Sequence, residues 1–130
     1  MVDSLLGDFG GIRMSIERIA GGAAGRCKTV SCNGFVWTVA TSGGDSSSVA
    51  EQTRATLAVL EASLEEAGTD KHHIVEALVY LTDMDKKAEM DTVWCAWIPD
   101  DGWPCRACVG TNLAPGDLVE IKLTAVLPHG

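Results

Sequence analysis

Basic residues are scarce in this chain. It carries 10 Lys and Arg against 18 Asp and Glu, a formal net charge of −8. Gripping a nucleic-acid backbone needs a cationic surface, so that class is excluded as the main partner. A local basic pocket for a small anion is not excluded. Long apolar runs are also missing. No stretch approaches the roughly 20 residues of a membrane span, so no membrane partner is expected. Met1 to Arg13 has neither a basic n-region nor a sustained apolar core, so it does not read as a secretory signal. The five cysteines do not pair evenly. A chain of 130 residues buries roughly two-thirds of its unfolded surface and needs no disulfide or metal to fold. Reduced thiols in a cytoplasmic protein are the expectation. Internal repeats and low-complexity tracts are absent too. The chain is therefore read as a single domain at residues 14–130, behind a flexible N-terminal extension at 1–13.

Ser15–Ile19 has the composition of a first strand, and Gly21, Gly22 and Gly25 break the chain after it. Residues 26–40 read as strand, turn, strand. Asn33-Gly34 is a two-residue hairpin signal, and Phe35-Val36-Trp37-Thr38-Val39 is rich in strand formers. Ser48 and Glu51 make an S-x-x-E capping box. Behind it Thr53, Leu57, Leu60, Leu64 and Ala67 recur at helical spacing, and Gly68 stops the helix. Residues 72–81 form a nearly continuous apolar strand. Asp83 or Asp85 caps a second helix with the stripe Met90, Val93, Trp94 and Trp97, ended by Pro99. Arg106–Val109 is a short strand. Leu118–Val126 alternates, with Val119, Ile121, Leu123 and Ala125 on one side and Glu120, Lys122 and Thr124 on the other. The order βββαβαββ predicts an α+β sandwich, with two helices on one face of a sheet of about six strands. The bare face is expected to be covered by oligomerisation.

Several residues carry candidate chemistry. Cys105-x-x-Cys108 after Pro104 matches half of a zinc deaminase signature, but the His-x-Glu half is missing and no third ligand has fitting spacing. Positions i and i+3 of a strand also diverge, and a redox CxxC belongs at a helix N-terminus. Zinc and redox roles are therefore set aside, and Cys105, Cys27, Cys32 and Cys95 are read as buried thiols. The adjacent His72 and His73 point apart and make no ligand pair. Of the four tryptophans, Trp94 and Trp97 read as core or interface, and Trp103 as core, with the lining of a pocket mouth as its alternative. Arg106 is either a strand-end arginine reaching to solvent or a bidentate clamp for a carboxylate. Glu120 is either solvated, paired with Lys122, or functional. If residues 106–126 formed a simple hairpin, Arg106 and Glu120 would face each other as an ion pair.

Gln52-Thr53-Arg54-x-x-Leu57-x-x-Leu60, Glu65-Glu66-Ala67-Gly68, Val79-Tyr80-Leu81-Thr82-Asp83, Pro104-x-Arg106-x-Cys108-Val109 and Leu118-Val119-Glu120-Ile121 together resemble the reactive-intermediate deaminase family, also called Rid or YjgF. The resemblance covers about residues 15–128. It implies a chorismate-mutase-like fold, with the residue 72–81 strand between the last two strands. It also implies a homotrimer whose pockets lie between subunits. Members of this family hydrolyse 2-imino acids such as 2-iminopropanoate, or their enamine tautomers, to 2-keto acids and ammonia. No metal or organic cofactor is implied. By position, Arg106 matches the carboxylate-binding arginine, Glu120 the glutamate linked to the attacking water, and Cys108 a pocket-lining cysteine. Four positions depart from the pattern of many deaminating members: Arg26 for a tyrosine, Val39 for a serine, Ala40 for a glycine and Asp91 for an asparagine. The resemblance thus implies a small anionic imino- or keto-acid ligand in a remodelled pocket. A non-catalytic carboxylate binder or protein-stabilising factor is the alternative. A ribonuclease, an activity attached to some relatives, is disfavoured by the net charge.

Overall fold

The computed structural model describes the backbone of residues 2–9, 12–42 and 48–128, and the side chains from Ser15 onward within those ranges. One sheet holds β1 (Val2–Phe9), β2 (Ile12–Ala20), β3 (Cys27–Cys32), β4 (Phe35–Ala40), β5 (Ile74–Leu81), β6 (Cys105–Gly110) and β7 (Val119–Val126). Their spatial order is β1-β2-β3-β4-β7-β5-β6. β5 and β6 run parallel, and the other neighbours are antiparallel. Helices α1 (Val49–Glu66) and α2 (Lys87–Trp97) provide the crossovers from β4 to β5 and from β5 to β6.

Local chemistry explains these elements. Asn33 and Gly34 both adopt positive φ, 53° and 84°, as a tight hairpin turn with the twist of its flanking strands requires. The Ser48 side chain accepts from the Glu51 amide at 3.2 Å, which fills one orphan donor of the first helical turn. From α2, Glu89 Oε1 accepts from the Ala50 amide at 3.0 Å, placing a negative charge at the positive end of α1. Gly68, at φ +95°, closes the helix in a conformation that side chains resist. Asp83 caps a single 3-10 turn, Met84–Lys86, that leads into α2.

The core lies between the helices and one sheet face. Leu57, Leu60 and Leu64 of α1 and Met90, Val93 and Trp94 of α2 meet Ala77, Val79, Leu81, Val119, Ile121 and Leu123 of the sheet. Each fully buried large aliphatic side chain contributes about 1.5–3 kcal/mol of transfer free energy. Gln52 is buried at 1 % exposure, yet both ends of its amide are satisfied. Its Nε2 donates to the Gly116 carbonyl at 3.0 Å, and its Oε1 accepts from the Leu118 amide at 2.9 Å. This brackets α1 to the loop that launches β7. The helix-free face carries Val30, Phe35, Trp37, Tyr80, Glu120 and Lys122 by register. The Phe35 and Trp37 rings stack there at 5.9 Å. Among the described residues no helix is long and apolar enough to cross a membrane.

Some expectations are corrected. Residues 2–9 pair with β2 as an edge strand, where a flexible extension at 1–13 is expected, so the sheet has one strand more than the order βββαβαββ provides. The segment Val2-Asp3-Ser4-Leu5-Leu6 hides this strand because it breaks two-residue alternation. The informative signal is Gly10-Gly11, the composition of a two-residue turn. The simple 106–126 hairpin does not form, because β5 lies between β6 and β7, as the family resemblance implies. Trp103 is not core: it is 76 % exposed, in the turn before an edge strand with no element beyond to cover it. Cys95 and Cys105 are exposed and Cys27 and Cys32 partly so, against the expectation of buried thiols.

Candidate active site

Arg106 stands second in β6, opposite Ala77 of β5. Ala77 points into the core, so Arg106 leaves the sheet on the helix side, and α2 receives it. Its Nη2 donates to Asp91 Oδ1 at 2.6 Å, and its Nη1 reaches Met90 Sδ at 3.7 Å. Its guanidinium lies over the Trp94 ring, 5.3 Å from the centroid. Asp91 spends its other oxygen on Lys87, which donates from Nζ at 2.7 Å. Burial would raise the Asp91 carboxyl, but hydrogen bonds from Lys87 and Arg106 outweigh it and hold Asp91 below the usual carboxylate range. Cys108 shares this face, opposite Val79. Burial pushes its thiol up, with the Arg106 charge opposing only in part. A protonated thiol is a poor nucleophile.

Glu120 belongs to a second cluster. It pairs in register with Tyr80 and points away from the helices, because its neighbours Val119 and Ile121 are core. It lines a cavity of about 380 Å³ with Arg26, Val39, Ala40, Thr41 and Val59. Thr41 pins the wall by donating its hydroxyl to the Val119 carbonyl at 2.8 Å. The Gly21–Arg26 loop between β2 and β3 supplies Arg26 and the cavity rim. The cavity therefore combines one carboxylate, Glu120, with two cations, Arg26 and Lys28, and the apolar side chains of Val39, Ala40 and Val59, and it opens to solvent.

The seven residues singled out from sequence thus separate into two groups. Arg106, Cys108 and Asp91 gather under α2, whereas Glu120, Arg26, Val39 and Ala40 gather at the β3–β4 end of the sheet. Within one chain Arg106 and Glu120 leave the sheet on opposite faces. The sequence reading misses Lys87, Met90 and Trp94 around Arg106. Their i, i+3, i+4 and i+7 spacing on α2 is the signal that they share a helix face. It also misses Thr41.

Residues 27–127 match the model of the endoribonuclease L-PSP family. The RutC family protein YoaB of Escherichia coli K12 is 38% identical over 78 residues, covering 59% of this chain and 68% of that protein. The RutC family protein slr0709 of Synechocystis is 31% identical over 110 residues, covering 78% of this chain and 85% of that protein. The crystal structure of NMB1025 from Neisseria meningitidis, a member of the YjgF protein family, superposes with a TM-score of 0.82 at 38% identity, covering 88% of this chain and 97% of that one. With the family model spanning the sheet from β3 to the end of β7, this chain is a member of the endoribonuclease L-PSP family, the YjgF or Rid family.

Proposed function

We propose that the chain is a hydrolytic deaminase of 2-imino acids, working in a pocket assembled from two copies of itself within a homotrimer. The observation that carries this reading is the division of the site. The Arg106 guanidinium leaves the sheet on the helix face and the Glu120 carboxylate on the helix-free face, which supports a pocket that draws one group from each of two chains. A helix-free sheet face with stacked Phe35 and Trp37 offers the surface for such an assembly. Arg106, backed by Trp94, binds the substrate carboxylate and fixes the imine carbon. Glu120 of the neighbouring copy orients a water and takes its proton as the oxygen attacks that carbon. Glu120 returns that proton to the nitrogen, giving the carbinolamine. Its C–N bond then breaks as the hydroxyl proton passes, through the Glu120 carboxylate, to the departing nitrogen, so ammonia leaves and the 2-keto acid remains. None of these steps calls on a metal or organic cofactor. Five free cysteines fit a reducing, cytoplasmic setting.

The test generates 2-iminopropanoate in situ with an amino-acid oxidase and follows its decay. The wild-type chain accelerates decay, and Arg106→Ala removes the acceleration. No acceleration by the wild type, or an equal one by the variant, overturns the reading. The apolar Val39 and Ala40 in the cavity wall favour one second reading, a carboxylate-binding protein without turnover. Pyruvate binding without imine hydrolysis identifies it. Ribonuclease activity is disfavoured by the net charge of −8.

A further inference from the structure

Arg106 already holds a carboxylate, and it belongs to the chain itself. The guanidinium is positioned without it, since Trp94 carries its face and Met90 one edge. Asp91 adds a monodentate bond at 2.6 Å through one oxygen, at the group a substrate carboxylate would use. The other oxygen stays on Lys87 at 2.7 Å. If Asp91 yields Arg106, it keeps Lys87, so release does not strand a charge. Asp91 is also one-third exposed and Arg106 one-fifth, so both are open to solvent and within reach of a ligand. The cluster contains two cations and one anion, a net charge of +1 where the two cations alone would present +2.

We propose that Asp91 is a built-in competitor for Arg106 that holds down the affinity of the site for a ligand carboxylate relative to neutral analogues. A substrate carboxylate must displace or share the Asp91 oxygen, so affinity for monoanions is held down and release is fast. This rests on the reading of Arg106 as the carboxylate clamp.

The experiment measures binding, so it does not depend on turnover. Pyruvate and its neutral analogue pyruvamide are titrated into the full chain and into Asp91→Asn, Asp91→Ala and Arg106→Ala, with folding checked by thermal unfolding and assembly by gel filtration. Asp91→Asn keeps an oxygen acceptor for Arg106, while it removes the charge and the acceptor that Lys87 uses. It is expected to bind pyruvate roughly tenfold tighter, equivalent to about 1.4 kcal/mol, with pyruvamide changing less than about twofold. Asp91→Ala is expected to tighten pyruvate as well, which a residue that merely orients Arg106 would not allow. If both Asp91 variants bind pyruvate equally or more weakly while Arg106→Ala loses it, the competitor role falls and the clamp stands. If Arg106→Ala binds pyruvate as the wild type does, the clamp falls and the competitor role with it.

Discussion

Arg106 and Glu120 stand on the two strands that flank β5, and their side chains leave the sheet on opposite faces. Across β5 they neighbour Ala77, which points to the helices, and Tyr80, which points away. Neither can reach the other around the sheet.

Complementation tests this geometry directly. Arg106→Ala and Glu120→Gln are each expected to be inactive alone. Unfolded together in equal amounts and refolded as a mixture, they should regain activity, because some interfaces combine an intact Arg106 from one chain with an intact Glu120 from the next. Random assembly into a closed ring leaves about a quarter of the interfaces intact. Recovery near a quarter of wild-type turnover supports the composite pocket. No recovery from a mixture shown to exchange subunits refutes it.

Gln52 is a stability prediction. Gln52→Leu keeps the volume and removes the bonds to the Gly116 carbonyl and the Leu118 amide, both part-buried, each worth about 1 kcal/mol. Urea unfolding should show a loss of about 2 kcal/mol. Because Leu118 lies two residues before Glu120, catalytic turnover should fall with it. An unchanged midpoint would mean that water takes over both bonds.

Cys108 should be a slow thiol. Burial holds it protonated, while Cys95 and Cys105 are exposed. Iodoacetamide at pH 8, followed by peptide mass mapping, is expected to label Cys108 roughly tenfold more slowly than those two. Faster labelling of Cys108 would instead mark it as an activated nucleophile and displace the water mechanism.

Asp91 makes an acid-stability prediction. Its folded value lies below the ordinary 3.8 because Lys87 and Arg106 outweigh its burial. A depressed carboxylate stabilises the fold fully above its unfolded value and loses that contribution as pH falls through the folded one. The difference in unfolding free energy between wild type and Asp91→Asn should therefore be flat from neutral pH down to about pH 5, then shift against the wild type below pH 3.8. Parallel acid limbs for the two proteins would show that the ion pair does not contribute.

Where the sequence was readable, the signals were local. The Asn33-Gly34 turn demands positive φ, Ser48 sits three residues before Glu51, and β7 alternates without interruption. Each is decided within a few residues. The Arg106–Asp91 contact joins residues 15 positions apart, and its existence depends on α2 crossing from β5 to β6. No local pattern announces it. Nor does any local pattern place β5 between β6 and β7; that expectation came through family resemblance. Trp103 misled because an apolar side chain predicts burial only where another element can cover it.

The separation of the two clusters has a consequence for how such a pocket diversifies. Asp91 and Lys87 can change on α2 without touching the packing around Glu120, and Arg26, Val39 and Ala40 can change without disturbing Arg106. On the proposed function, the grip on the anion and the handling of water are then separable parts: a lineage can retune one while the other remains as it was, and selection sees the combination only where two chains meet.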